Sequence, residues 1–185
     1  MSSAERETKK LVASIYLYAA TGLSTYRDHV ESKASAVPTW LAPWNEPDWT
    51  AWLYYTTIPG ASTSLASKIR DTYQSAINGD NNWKAVRNGN DPYRVNLKAE
   101  EYTWGSNRTV SRKGQTFHNL IDYQIGNFEA AEVRDTALDY LHYIHGTNPQ
   151  AMVYLSNMYS LGVHSSVNEF YHSWFTNGMN SASSL

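Results

Sequence analysis

The segment Asn168-Glu169-Phe170-Tyr171-His172-Ser173-Trp174 sets a carboxylate, an imidazole and polar-edged aromatics side by side. Dense mixtures of this kind are uncommon in cores, so a cleft lining and an ordinary surface segment are both open readings. A second concentration of chemistry-bearing side chains is Trp40-Leu41-Ala42-Pro43-Trp44-Asn45-Glu46-Pro47-Asp48-Trp49. Trp49 and Trp52 have helical spacing and are expected in the core. Trp40 and Trp44 precede that helix and could face a cleft. A third is Trp104-Gly105-Ser106-Asn107, where the glycine lets the backbone turn sharply and leaves the indole exposed. Packing as a lid and serving as a ligand platform are both open for Trp104.

Glu46, although flanked by Asn45 and Pro47, is read as a charge at a helix start, where a carboxylate complements the dipole. The acid/base glutamates of barrel glycosidases follow a buried strand. Here the prolines and the apolar spacing of Trp49, Trp52 and Leu53 specify a loop and then a helix. His142 and His145 could share a metal, but no third ligand accompanies them at suitable spacing. The favoured reading is a cation at a helix C-terminus. No dense Asp/Asn/Glu loop makes a calcium site, and no metal or cofactor is expected.

The elements that position these residues are helical. Leu11, Val12, Ile15 and Ala19 predict a helix over 5–20 with Gly22 as its left-handed stop. Ser24 is expected to cap a short helix to about Val30, completing a hairpin. A third helix is expected over 48–57, with Pro47 at a first helical position. A fourth, capped by Ser62, carries Leu65, Ile69, Tyr73 and Ile77 and ends near Gly79. From Asp80 to Lys113 periodicity is lost, and an ordered loop bearing Asp91-Pro92-Tyr93-Arg94 is expected, since long loops in compact domains are often functional. Phe117, Leu120, Ile121 and Ile125 restore a helical stripe. Val133, Ala137, Leu141 and Ile144 lay out another before Gly146. The segment Met152 to Tyr159 reads as either a strand or a loop. The 176–185 tail is expected to fray. Helix pairs with polar aromatics on the joining loops favour an all-α toroid or solenoid over a plain bundle.

Composition narrows the function. The 185 residues carry 15 basic and 17 acidic side chains, a formal charge of −2, and no cysteine. This balance offers no footprint for duplex nucleic acid or anionic lipid. Disulfides, zinc-thiolate sites and cysteine nucleophiles are excluded together. No apolar run approaches the roughly 18 residues of a membrane span, and the opening residues lack a signal-peptide core. Trp 7 and Tyr 14 against Phe 4 is a strained composition for a core alone, because Tyr and Trp favour places where one side is wet. Flat rings with hydrogen-bonding edges suit sugar faces.

The run Tyr140-Leu141-His142-Tyr143-Ile144-His145-Gly146-Thr147-Asn148-Pro149, with Met152 to Met158 and then Val167 to Phe175, resembles the later catalytic-domain region of glycoside hydrolase family 9, the inverting cellulases. Asn148-Pro149 looks like its Gly-x-Asn-Pro turn. Trp104-Gly105-Ser106 resembles its Trp-Gly-Ser segment, and Trp44-Asn45 falls near the place of its Ser-Trp-Asp. The resemblance implies helical hairpins of an (α/α)6 toroid, incomplete here, in one domain spanning 1–185. It implies action on β-1,4-glucan as a cellulase or endoglucanase, and a secreted bacterial enzyme.

By position, the resemblance makes Trp44, Trp104, Tyr171, His172 and Trp174 the sugar-binding residues. His172 corresponds to the histidine of the family's His-His-Arg region, with Ser173-Trp174 in place of the arginine. The family's Asp-Ala-Gly-Asp base motif and the glutamate acid beyond the histidine region have no counterpart. The chain is therefore expected to be a middle-to-late slice of a catalytic domain. If it is active, Glu169 is the first candidate carboxylate, with Asp91 or Glu46 as partner. The alternative is a non-catalytic glucan-binding helical fragment. The expected partners are a β-glucan or cello-oligosaccharide, and a second copy that covers exposed helix faces.

Overall fold

The computed structural model describes residues 2–79, 82–89, 91–102 and 105–167. Trp104, Glu169, Tyr171, His172, Trp174 and the 176–185 tail lie outside the described residues. The chain divides into two compact units, Met1–Leu141 and His142–Leu185. Seven α-helices and no strand occur among the described residues, so the fold is all-α.

In the first unit, α1 (Ser3–Thr21) is nucleated by a reciprocal cap in which the Ser2 hydroxyl accepts the Glu5 N–H and the Glu5 carboxylate accepts the Ser2 N–H. Gly22 ends it at φ 68°, as expected. Its buried face is Leu11, Ser14, Ile15 and Tyr18. The Tyr18 hydroxyl donates to the Pro59 carbonyl at 3.2 Å. Gly60 lies against it with φ 81°, and a Cβ there would stand 2.8 Å from the Tyr18 oxygen, so only glycine fits this turn. Helix α2 (Ser24–Ser32) packs on α1, completing the expected hairpin. Ser24 is not its cap. The helix begins one residue earlier than expected, at an N-cap Leu23 that makes no side-chain cap bond.

Helix α3 (Glu46–Tyr55) is the centre of the unit, contacting α1, α4 and α6. Trp49, Ala51, Trp52, Leu53 and Tyr55 are all buried. Its more open residues are Pro47, which is exposed, and Asp48, Thr50 and Tyr54, which are half-buried, so most of its circumference is enclosed. It starts two residues before the expected boundary, with Asn45 as N-cap and Pro47 in the first turn, where its missing N–H costs nothing. Trp49 meets Tyr73 edge-on with centroids 4.9 Å apart. Tyr73 belongs to α4 (Thr63–Ile77), which the Ser62 hydroxyl caps by accepting the Leu65 N–H. Leu65, Ile69, Tyr73 and Ile77 all face the core.

The segment from 80 to 113, expected as an ordered loop, carries helix among its described residues. It contains α5 (Trp83–Asn88), a 3₁₀ turn at Ala99–Glu101, and the first half of α6 (Ser106–Asp122). The reason lies in the buried face of α6: Val110, Lys113, Gly114, Thr116, Phe117, Asn119 and Leu120. Three polar side chains and a glycine interrupt an apolar stripe, and each of the three polar side chains makes hydrogen bonds, Lys113 to Asn96 and Glu101, Asn119 with Tyr73 and Gln115, and Thr116 within the helix to the Arg112 carbonyl. Gly114 admits the neighbouring helix, since a Cβ there would lie 3.0 Å from the Tyr140 Cβ. Ile125, expected on the helical stripe, is buried just beyond the end of α6.

That neighbour, α7 (Ala130–Ile144), presents Val133, Thr136, Tyr140 and Ile144 as its buried line. Leu141, expected in that line, is 44 % exposed. The 133, 136, 140, 144 spacing fits a helical face better, and it includes a threonine whose hydroxyl donates to the Glu132 carbonyl.

In the second unit the chain turns at Gly146 and is then organised by Asn148. The Asn148 amide donates to the Tyr143 and Met152 carbonyls, and its oxygen accepts the Gln150 and Met152 N–H groups. One buried side chain thus closes the whole turn around Pro149. Val153 then forms isolated bridges with His145 and with Ser166, so the stretch after Met152 is a linked loop, with no strand among the described residues. His142 and His145 are both exposed.

Candidate functional site

The loop before α3 is fixed from several directions. The Asn45 side chain accepts the Ala42 N–H at 2.9 Å and donates to the Trp40 carbonyl at 3.1 Å. The indole N–H of buried Trp49 donates to that same carbonyl at 3.0 Å. Arg112, on α6, reaches the Pro43 carbonyl at 3.3 Å. With its backbone held, the loop directs two indoles outward: Trp40 and Trp44 are 53 % and 63 % exposed. Their rings meet edge to face, with centroids 5.4 Å apart at 69°. A T-shaped pair leaves ring faces uncovered.

These indoles border a cavity of about 290 Å³ that Asn82, Glu100, Glu101 and Lys113 also line. Its polar side contains a buried ion pair, with Lys113 Nζ 2.7 Å from Glu101 Oε2 and both side chains 7 % exposed. Lys113 also donates to the Asn96 carbonyl at 2.8 Å, and Glu101 accepts the Lys98 N–H at 2.8 Å. Burial pushes the Lys113 ammonium below the usual lysine range, and the Glu101 carboxylate opposes that shift. The cavity therefore combines uncovered aromatic faces with fixed charged donors and acceptors. That combination suits a ring with an apolar face and a hydroxylated edge.

Of the residues singled out in the sequence, Trp44 is at this cavity. Glu46 is buried at the first turn of α3, where its carboxylate accepts the Thr50 hydroxyl. Asp91 lines a different cavity, of about 640 Å³, together with Arg94, Glu132 and Asp135. Its two carboxylate oxygens accept the Tyr93 and Val95 N–H groups, closing its own turn. Glu46 and Asp91 thus belong to separate surroundings, while Glu169, Trp104, Tyr171, His172 and Trp174 lie outside the described residues.

Glu101 and Lys113 were not foreseen from sequence. A usable signal existed: Val110, Lys113, Phe117 and Leu120 follow helical spacing, and a lysine in an apolar stripe requires a buried anionic partner. Among the described residues, no cluster of three metal-ligating side chains occurs, and no helix is long and apolar enough to cross a membrane.

No curated protein and no solved structure matches the chain. A family model does, over residues 3–184, and its description is Glycosyl hydrolase family 9. That match takes in the Trp40–Trp44 loop, the helical framework behind it and the Asn148 turn, and the chain belongs to glycosyl hydrolase family 9.

Proposed function

We propose that this chain engages β-1,4-glucan in the manner of a cellulase-type glycoside hydrolase, with Trp44 as a stacking platform. The observation that carries this reading is the exposed Trp40–Trp44 pair, held rigidly at the mouth of a cavity with charged hydrogen-bonding groups inside. A glucosyl ring has axial C–H faces that pack on an indole and equatorial hydroxyls that seek fixed polar partners. Preorganised contacts of both kinds lower the ordering cost of binding.

Hydrolysis with inversion needs two carboxyl groups about 6.5–9.5 Å apart, one protonating the leaving oxygen and the other activating water. Glu169 is the leading candidate for one of them, because it lies three residues before His172 in the segment resembling the family's sugar-facing region. Glu46 and Asp91 are the candidates for its partner. Tyr171, His172 and Trp174 would contact the same glucan, with Trp104 as a further platform.

Reducing-sugar release from carboxymethylcellulose by the purified chain tests this reading. Activity that falls at least 100-fold in Glu169→Gln supports catalysis through that residue. Undiminished turnover removes Glu169 from the mechanism. Oligosaccharide binding without any sugar release assigns the chain a glucan-binding role instead.

A further inference from the structure

The Glu101–Lys113 pair has a property that helix packing alone does not require. Two charges buried side by side incur a desolvation penalty that their attraction only partly offsets, and well-packed apolar residues of similar volume are often as stabilising or more so. The pair also lines the cavity bordered by Trp40 and Trp44. An ammonium has three N–H donors. Among the described residues, two have acceptors: the Asn96 carbonyl at 2.8 Å and Glu101 Oε2 at 2.7 Å. The third N–H has no acceptor among the described residues, and Lys113 stands in the wall of a cavity of about 290 Å³. Volumes near 300 Å³ are the lower end of ligand sites.

We propose that Lys113, oriented by Glu101 and the Asn96 carbonyl, donates a hydrogen bond to one ring hydroxyl of the glucosyl unit stacked at Trp44, and so determines which sugars that position accepts. This rests on the glucan-binding reading of the same cavity. A hydroxyl oxygen facing a buried, charged donor gains a short, charge-assisted bond. A sugar lacking that hydroxyl leaves the ammonium short of a partner in a desolvated place, and such sites reject the deficient analogue strongly. The placement of Lys113 on the buried stripe of α6, opposite a glutamate in a separate turn, is what holds it at the cavity wall.

Calorimetry of the full chain with cellotetraose and a series of its monodeoxy analogues tests the assignment. The chain as it stands should bind one analogue at least tenfold more weakly than the parent. In the double variant Glu101→Gln with Lys113→Met, which removes both charges together, parent affinity should fall about tenfold and that discrimination should vanish. A variant that discriminates as before, or an unsubstituted chain that binds every analogue equally, overturns the proposal. A measurement on the unsubstituted chain covers the case in which the double variant does not fold: the slowly exchanging Lys113 ammonium resonance should shift with cellotetraose and stay unmoved by the rejected analogue. Equal shifts with both overturn the proposal. A Trp44→Ala chain separates the two levels. If Trp44→Ala abolishes binding but deoxygenation has no effect, only the role of Lys113 fails. If the unsubstituted chain binds no glucan, the glucan reading fails and the role of Lys113 fails with it.

Discussion

Lys113 and Glu101 are joined at 2.7 Å with both side chains almost fully enclosed, and this single contact ties the 3₁₀ turn at Ala99–Glu101 to the middle of α6. Removing one partner strands the other charge in the interior. Lys113→Met alone should therefore destabilise the chain by about 3–5 kcal/mol. The double change Glu101→Gln with Lys113→Met should recover most of that loss, because no uncompensated charge remains. Urea unfolding followed by circular dichroism reads both values, and equal losses in the single and double variants would contradict the burial of the pair.

The tryptophans separate by environment. Trp49 is fully enclosed, meets Tyr73 edge-on and anchors the Trp40 carbonyl. Trp49→Ala should cost about 3–5 kcal/mol and also release the loop that presents Trp44. Trp44 itself is 63 % exposed, so Trp44→Ala should change stability by no more than about 0.5 kcal/mol. Thermal unfolding of the two variants side by side checks the contrast.

Alkaline pH should unfold the chain through its buried phenols. Burial raises Tyr55 to about 12, and raises Tyr73 and Tyr140 further still. A phenol whose folded pKa lies above the unfolded value near 10 gives stability that is complete below pH 10 and is lost as pH climbs toward the folded pKa. Lys113 acts in the opposite sense. Its folded pKa is depressed, so the unfolded chain holds more protons between that value and the ordinary one, and stability rises with pH across that window. The phenols outnumber it above pH 10. Tyrosinate absorbance should show the exposed phenols ionising gradually and the buried ones ionising together with loss of helix. A single smooth titration with helix retained would contradict this.

In the second unit, Asn148 holds four backbone groups through one side chain. Asn148→Ala leaves those groups without their partner and should cost about 1–3 kcal/mol. Hydrogen exchange should quicken at the Val153, Tyr154 and Val167 amides, which bond to the Ser165, Ile144 and Val153 carbonyls. Unchanged protection at these amides would show that the turn holds without the asparagine.

Elements with uninterrupted apolar spacing were legible in the sequence. Leu65, Ile69, Tyr73 and Ile77 marked α4 and its Ser62 cap, and Trp49 with Trp52 marked the core helix. The first half of α6 was not legible, because Lys113, Gly114 and Thr116 occupy buried positions for reasons of pairing and close approach rather than hydrophobicity. The same substitution of chemistry for periodicity hid the ion pair at the cavity. Trp44 was set apart from the core tryptophans in the sequence because it precedes the helix that carries Trp49 and Trp52, and it is exposed. Its neighbours inside the cavity come from positions far along the chain, and only folding brings them together.

Calorimetric titration of the chain and of Trp44→Ala with cellotetraose tests the central claim most directly. The expected result is saturable binding that weakens at least tenfold when the Trp44 indole is removed, with helix content unchanged. Equal affinity in the two proteins, or no binding by the unsubstituted chain, would contradict the assignment of this face to glucan.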